Sequence, residues 1–210
     1  MTLTPYPGRV VALARIRGGA LLGGYALTGR SLASRARRLA WSGSTLTVAP
    51  LDADPHDPLR HYDAVRADSR WTVLGNGSQV GVVHARLTAG QPPSVALDGL
   101  RHEPDPPIFT PRITAVVGGS SAWFGAARVA TGVSVVELGS LAVGDVALMT
   151  TYESDGETVA TTPRHRHLRT SAGDVKDFLA ELWSWLDPRF TVTATVFDVA
   201  DSGNRVQRSA

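Results

Sequence analysis

The sequence predicts an α+β fold in which strands and helices pack in layers. Most of its apolar runs are short and rich in β-favouring residues, which is typical of strands. One segment near the C-terminus instead repeats apolar residues at helical spacing. Because the strand and helix signals come in groups rather than in strict β–α–β alternation, we expect an α+β arrangement of sheets and helices.

The first half of the chain is expected to open with a β-hairpin, whose two apolar runs are joined by Arg17-Gly-Gly. An Asp- and Pro-rich stretch, residues 52–58, predicts an exposed connection. Two short helices are predicted from apolar spacing and from a Pro in a first turn. The strands are predicted at residues 9–16, 20–27, 45–51, 61–66 and 71–74, and the helices at 80–87 and 92–100.

The second half begins with a proline-rich loop, residues 103–112, after which apolar strands resume at once. Ser171 is predicted as the N-cap of an amphipathic helix that has Asp174 in its first turn and ends before Pro188. The polar residues 201–210 are expected to fray. The strands are predicted at 113–117, 122–129, 133–137, 145–152 and 190–199, and the apolar helix face at Val175, Phe178, Leu179, Leu182, Trp183 and Leu186.

Length and composition favour a single domain over residues 1–210, since 43% of the residues are hydrophobic and 19% are charged. No apolar run approaches the roughly 20 residues that a membrane span needs. The first residues lack a basic region followed by an apolar stretch, so we expect a cytoplasmic protein. With no cysteine, the chain has no disulfide, thiol nucleophile or thiolate metal site.

A cationic segment follows the second predicted strand and suggests a phosphate site. Its arginines carry forked donors that match phosphate oxygens, and its small residues allow close approach to the backbone. A solvated basic turn is the alternative, and a nucleic-acid surface is disfavoured because no aromatic residues are interleaved. The segment spans Thr28 to Arg38 and contains Arg30, Arg35, Arg37, Arg38, Gly29, Ser31 and Ser34.

Other polar residues are ambiguous when taken singly. The segment Arg164-His-Arg-His-Leu-Arg169 lacks a third ligand, so we expect a solvated turn and no metal. Asn76-Gly77 is typical of a turn. Tyr62 suits a strand, and Glu103 is a carboxylate in an extended loop.

The joint order of six short motifs over residues 6–156 resembles the single-domain IMP cyclohydrolase family of archaea, which has bacterial relatives. The motifs are Tyr6-Pro-Gly-Arg9, Gly29-Arg-Ser-x-x-Ser-Arg35-x-Arg37, Asp57-Pro-Leu-x-x-Tyr62-x-x-Val-Arg66, Asn76-Gly77-x-Gln79, Glu103-Pro-Asp-x-Pro-x-Phe-Thr110-Pro-Arg-Ile113 and Thr151-Tyr152-Glu153.

The resemblance implies a four-layer αββα sandwich like that of N-terminal nucleophile hydrolases, without self-processing. It also implies closure of the purine ring of 5-formamidoimidazole-4-carboxamide ribonucleotide to IMP, with loss of water. No cofactor is implied, the ligand would be a purine nucleotide, and a homo-oligomer, dimer or tetramer, is suggested.

The resemblance further gives a set of candidate site residues. Tyr62 and Glu103 would handle proton transfer, Asn76 would bind the carboxamide or the oxyanion, and Arg30 would act on the phosphate or the developing charge. The remaining substrate-binding candidates are Arg35, Arg37, Ser31, Gln79, Thr110, Arg112 and Tyr152.

Two departures from the family pattern keep other functions open. Val80-Gly81 replaces the usual Thr-Asp, and Ile108 replaces the usual Asn. A member without these polar groups could close a different ring, or bind a nucleotide without turnover. A rival hypothesis, an N-terminal threonine hydrolase using Thr2, is disfavoured by Pro5 and Pro7, because such a nucleophile must be held by a regular strand.

Overall fold

A computed structural model of the chain describes residues 3–51, 57, 59–161 and 165–210. Three predicted features lie outside the described residues: Thr2, Arg164 and the 52–58 connection apart from Asp57. The strands are β1 Arg9–Arg15, β2 Leu21–Thr28, β3 Arg37–Ser42, β4 Thr45–Pro50, β5 Tyr62–Ala67, β6 Trp71–Gly75, β7 Arg112–Gly118, β8 Ser121–Arg128, β9 Gly132–Gly139, β10 Asp145–Thr150, β11 His165–Arg169, β12 Thr191–Asp198 and β13 Arg205–Ser209. The helices are α1 Leu32–Arg35, α2 Gln79–Thr88, α3 Pro93–Asp98 and α4 Val175–Ser184.

The described strands form two antiparallel sheets, which confirms the predicted α+β class. One sheet has the order β11-β10-β1-β2-β12-β13, and the other has the order β3-β4-β5-β6-β7-β8-β9. The opening hairpin is confirmed, with Arg9 opposite Leu27 and Arg15 opposite Leu21. In the seven-stranded sheet each strand pairs with the next one in the sequence, although α2 and α3 lie between β6 and β7.

Three apolar clusters hold the elements together, and the alternation of side chains along β1 shows why. Val11 and Leu13 point between the two sheets, where they join the buried Phe124 from the second sheet. Val10 and Ala12 point the other way and pack, with the rest of their cluster, under α4. The third cluster covers the outer face of the second sheet with α2 and α3. Each sheet is therefore apolar on both faces.

The C-terminal residues do not fray, so the prediction for 201–210 is wrong. β13 pairs with β12 from Thr193 opposite Ser209 to Phe197 opposite Arg205. Its arginines also lie over aromatic rings, with Arg205 4.7 Å from the Trp41 ring centroid and Arg208 4.4 Å from that of Trp183. Cation–π contacts and ladder hydrogen bonds hold this polar strand, together with half-buried Val206, which packs against the apolar cluster under α4.

Two other edge strands were also missed. Arg37 and Arg38 begin β3 instead of continuing the cationic loop, and His165 to Arg169 form β11 instead of a turn. Both are arginine-rich strands at sheet edges, a position in which charged side chains are common because they discourage pairing with other chains.

The N-cap of α4 is Asp174 and not Ser171 as predicted. The Asp174 carboxylate accepts hydrogen bonds from the backbone N–H groups of Lys176 and Asp177, at 2.8 and 2.9 Å. Ser171 instead contacts Glu181 on the solvent side. The helix ends at Ser184, four residues before Pro188. None of the described helices is long and apolar enough to cross a membrane.

Replacing the cap tests this assignment. Asp174→Ala should lower the free energy of unfolding by about 1 kcal/mol, because two backbone donors lose their acceptor. Asp174→Asn keeps a capping oxygen and should change it much less. The measurement is urea unfolding followed by circular dichroism. A larger loss in Ser171→Ala than in Asp174→Ala would instead restore Ser171 as the cap.

Candidate active site

Strand ends from both sheets meet at one end of the sandwich and enclose a cavity of about 350 Å³. β1 begins there at Arg9, β3 begins there at Arg37, and the loop before β7 enters with Glu103 and Thr110. The lining residues are Tyr6, Arg9, Arg30, Ser31, Ala33, Ser34, Arg37, Asp57, Leu59, Arg60, Glu103, Asp105, Ile108, Thr110 and Tyr152.

A buried ion pair forms one wall of this cavity. Arg9 Nη2 lies 3.6 Å from Glu103 Oε2, and the residues are 8% and 2% exposed. Burial raises the pKa of the Glu103 carboxyl above its usual value, although the Arg9 charge opposes this. Burial would lower the pKa of Arg9, but Glu103 and nearby tyrosines outweigh it and hold that pKa above its usual range. Arg9 Nε is buried and has no hydrogen-bond partner among the described residues.

Arg37 adds a second buried guanidinium to the cavity. Its Nε donates to the Ser34 carbonyl at 2.8 Å, and its Nη2 lies 3.4 Å from the Thr28 carbonyl. Burial, and then repulsion from Arg9, lower the pKa of Arg37 from its usual value. Arg9 and Arg37 are two buried cations in the lining of one cavity, and an anion bound there would relieve the repulsion between them.

Arg30 and Ser31 stand at the exposed mouth of the cavity. Arg30 Nη1 donates to the Glu157 carbonyl at 2.8 Å, and its guanidinium lies 5.7 Å from the Tyr6 ring centroid. Ser31 caps the one-turn helix α1, with a reciprocal bond to Ser34. These contacts hold the Arg30 and Ser31 side chains in place at the opening of the cavity.

Another part of the lining is a chain of hydroxyl and carboxylate groups. Asp105 accepts bonds from the Thr110 backbone N–H at 2.6 Å and from Thr110 Oγ1, and Thr110 Oγ1 lies 2.7 Å from the Tyr152 hydroxyl. The Tyr152 ring stacks on Tyr6 with centroids 5.6 Å apart. Burial raises the pKa of Tyr152, so it stays a neutral phenol. Gly8 has φ +72° and a Cβ there would lie 2.6 Å from the Tyr152 ring, so both conformation and space require glycine.

Comparison with known proteins gives the family. A family profile described as "IMP cyclohydrolase-like protein" matches residues 6–203. The chain belongs to this family. It is 34% identical over 160 residues to a protein named IMP cyclohydrolase from Methanothrix thermoacetophila, covering 72% of this chain and 76% of the relative.

Two further relatives with the same name come from other archaea. The protein of Natronomonas pharaonis is 34% identical over 155 residues, covering 70% of this chain and 73% of the relative. That of Haloquadratum walsbyi is 31% identical over 142 residues, covering 65% and 68%. The match to the IMP cyclohydrolase-like family thus extends beyond the motifs at residues 6–156.

Six of the residues predicted for this IMP cyclohydrolase-like protein line the cavity, and the structure brings them together from distant parts of the chain. The six are Arg30, Ser31, Arg37, Glu103, Thr110 and Tyr152.

Asn76 and Gln79 lie behind the cavity wall and support it. Asn76 is fully buried; its Nδ2 donates to the Pro111 carbonyl at 2.8 Å and its Oδ1 accepts from the Ile113 backbone N–H at 2.8 Å. Gln79 Nε2 donates to Asn76 Oδ1 at 3.1 Å and to the Ile113 carbonyl at 3.2 Å. These amides hold the segment that follows Glu103, and neither lines the cavity.

Tyr62, Arg35 and Arg112 also lie outside the cavity lining. The Tyr62 hydroxyl is 2.9 Å from that of Tyr25, inside the cluster between the sheets. Arg35 bonds the carbonyls of Gly29 and Arg189. Arg112 Nη2 donates to Ser78 Oγ at 3.1 Å. The structure does not bring these three to the lining of the 350 Å³ cavity.

Arg9 and Asp105 line the cavity but were not predicted from the sequence. Both stand within motifs shared with the IMP cyclohydrolase-like family, but neither was given a role. A signal for Arg9 was present, because a cation at the head of the apolar run Arg9 to Ile16 is costly to bury without an anionic partner. For Asp105, the proline-rich surroundings indicated a loop and nothing about the cavity.

The family departures fall in different places. Val80 is a buried residue of α2, and Gly81 lines a separate cavity of about 280 Å³ with Tyr62 and Arg66. Neither Val80 nor Gly81 lines the 350 Å³ cavity. Ile108 does line the 350 Å³ cavity.

The Arg9–Glu103 pair can be tested by stability. Arg9→Met should lower the free energy of unfolding by about 3 kcal/mol at neutral pH, because it leaves a buried carboxylate without its cation. Burial already raises the pKa of Glu103, and the substitution removes the Arg9 charge that opposes this rise. The Glu103 carboxyl of the folded variant therefore takes up a proton as the pH falls, so the loss of stability should shrink at lower pH. Denaturant unfolding at several pH values measures it.

Arg30→Met is the matched control, because it removes a cation from the exposed mouth of the same cavity. It should change stability by less than about 0.5 kcal/mol. Equal losses in the two variants, or a loss for Arg9→Met that does not depend on pH, would contradict the buried-pair account.

Proposed function

We propose that this protein is an IMP cyclohydrolase of purine biosynthesis, closing the ring of 5-formamidoimidazole-4-carboxamide ribonucleotide with release of water. The family and the names of its relatives support this activity. The observation that carries it is the cavity itself, where the buried Arg9–Glu103 pair and the buried Arg37 face one space. Such a site offers an anion-binding wall together with a base of raised pKa.

The reaction makes two demands on the site. The carboxamide nitrogen attacks the formyl carbon, so a carbon–nitrogen bond forms while the carbonyl electron pair moves onto oxygen. That oxygen takes up the proton lost by the attacking nitrogen. The carbon–oxygen bond then breaks, and the hydroxyl leaves as water with the proton of the former formamido nitrogen, which forms the ring double bond. Holding the two reacting groups of one molecule together supplies much of the rate, and a positioned base and cation supply more.

Glu103 is the group assigned to proton transfer. Its carboxylate accepts a proton from the attacking nitrogen and gives it to the oxyanion, which becomes a hydroxyl. It then accepts the proton of the former formamido nitrogen, which forms a double bond to the ring carbon, and gives it to the departing hydroxyl, so that both protons leave in the water. Burial raises the pKa of Glu103 and so strengthens it as a base, while the charge of Arg9 opposes this rise. Arg9, whose Nε has no partner among the described residues, is assigned to the developing oxyanion.

Arg30, Ser31 and Arg37 are assigned to the 5′-phosphate. The first two stand at the exposed mouth and Arg37 lies deeper, so an anionic tail can be gripped while the base enters the cavity. Arg35 is left out because it does not line the cavity.

At the level of fold, we propose one domain with the αββα layering of N-terminal nucleophile hydrolases and without self-processing. The three apolar clusters, one between the sheets and one under helices on each outer face, support this proposal.

Cyclisation can be assayed directly by adding the formamido ribonucleotide and following IMP formation by absorbance. Glu103→Gln should lower kcat by about 10²-fold or more, because the amide cannot accept the proton. Arg30→Ala should raise KM by roughly tenfold through loss of a charged hydrogen bond.

Arg38→Ala removes an exposed arginine of the same segment that does not line the cavity, and it should behave as wild type. The assignment would be wrong if Glu103→Gln and Arg30→Ala both stayed within about twofold of wild type, an effect too small for either role. Calorimetric binding of IMP with no turnover would instead favour a non-catalytic nucleotide-binding protein.

We also propose a homo-oligomer, with β9 as its contact strand. The edge strands β3, β11 and β13 each carry at least two arginines, whereas β9 has Glu137 as its charged residue among four half-buried aliphatic side chains. Light scattering after size exclusion should give at least a dimer. Val135→Lys should shift it toward the monomer, while the same change at exposed Val143 should not.

A further inference from the structure

The direction of hydrogen bonding can be read along the wall formed by Asp105, Thr110 and Tyr152. A carboxylate only accepts hydrogen bonds. Asp105 Oδ1 accepts from the Thr110 backbone N–H, and Oδ2 accepts from Thr110 Oγ1. The single proton of the threonine hydroxyl is therefore directed to Asp105.

This fixes the proton of the next group. Thr110 Oγ1 and the Tyr152 hydroxyl are 2.7 Å apart, so one of them must donate to the other. Since the Thr110 proton is already used, Tyr152 donates. Its phenolic oxygen then has only lone pairs left for any other partner.

The ring position makes this matter for a ligand. Tyr152 lines the cavity, and stacking on Tyr6 and close packing against Gly8 fix its ring. Arg9 and Arg37 line the same cavity and supply cationic donors. Tyr152 is thus a neutral acceptor in a cavity that also holds donors, which suits an N–H or O–H of the ligand and not a phosphate oxygen.

We propose that Asp105, acting through Thr110, fixes Tyr152 as a hydrogen-bond acceptor, so that the site selects ligands presenting an N–H or O–H group at this point. Tyr152 contacts the ligand, and Asp105 and Thr110 are positioning residues. For the proposed nucleotide substrate, the matching donors are an amide N–H of the base or a ribose hydroxyl. The inference rests on the proposed function for the class of ligand.

Asp105→Asn tests the polarity, with IMP as the probe in isothermal titration calorimetry. The new carbonyl oxygen can still accept from the Thr110 backbone, but the new NH₂ donates to Thr110 Oγ1. Thr110 would then donate to Tyr152, whose own proton would turn into the cavity. IMP binding should weaken by roughly three- to tenfold, the scale of one neutral hydrogen bond.

Electrostatics alone predicts the opposite sign, which makes the experiment decisive. Asp105 lines a cavity proposed to bind a phosphate, so removal of its charge should tighten IMP binding if charge is all that matters. Tighter or unchanged binding by Asp105→Asn would overturn the inference.

A double-mutant cycle separates this polarity from simple loop damage. Tyr152→Phe should weaken IMP binding to a similar extent, and Asp105→Asn added to Tyr152→Phe should cause no further weakening. Thr110→Ser, which keeps the hydroxyl, should retain more affinity than Thr110→Val. Additive losses in the cycle would overturn the inference, because they would show Asp105 acting independently of Tyr152.

The test of this inference is distinct from that of the proposed function. The function is judged by turnover of the formamido nucleotide, and the polarity by relative affinities for IMP. A protein that binds IMP without turnover would still show whether Tyr152 accepts or donates.

Discussion

The burial of two guanidinium groups at one end of the sandwich constrains the rest of the site. Arg9 and Arg37 enter from the first residues of two strands in different sheets, and both are nearly inaccessible to solvent. Burying a cation is costly unless an anion compensates it. Glu103 supplies one negative charge for Arg9, but Arg37 is bound to carbonyls alone among its described contacts. The wall therefore has an excess of positive charge that an anionic ligand would balance.

Placing Glu103 opposite Arg9 depends on polar residues that do not face the ligand. Asn76 and Gln79 bind the backbone of Pro111 and Ile113, and this holds the end of the 103–111 loop against β6. The start of the loop is closed by the Glu103 backbone N–H, which donates to the Thr110 carbonyl at 2.8 Å. A Cβ at Gly77 would lie 3.3 Å from Glu103 Oε1, so the turn before α2 also leaves room for the carboxylate. Scaffold and site are thus one hydrogen-bonded unit.

Sequence patterns predicted the elements whose stability comes from apolar burial. The β1–β2 hairpin, the strands β7 to β9 and α4 carry their apolar pattern in the sequence. β3, β11 and β13 do not, because at a sheet edge an arginine can lie over an aromatic ring or in solvent, and alternation disappears. Ser171 was predicted as the N-cap of α4, whereas the cap is Asp174. The position of the cap depends on where the chain leaves β11, which local sequence does not specify.

The sequence motifs identified many residues of the site region, but they did not show which other residues each of them contacts. The shared motifs named Glu103, Thr110 and Tyr152, which do line the cavity, and also Asn76 and Tyr62, which lie behind it. A motif records that a residue is needed but not which of its atoms faces the ligand. That distinction follows from contacts across the chain: Tyr62 meets Tyr25 from the other sheet, whereas Tyr152 meets Thr110 beside the cavity. Tyr62 and Tyr152 were both predicted as site residues from the motifs, yet Tyr62 packs in the core between the sheets and Tyr152 lines the cavity.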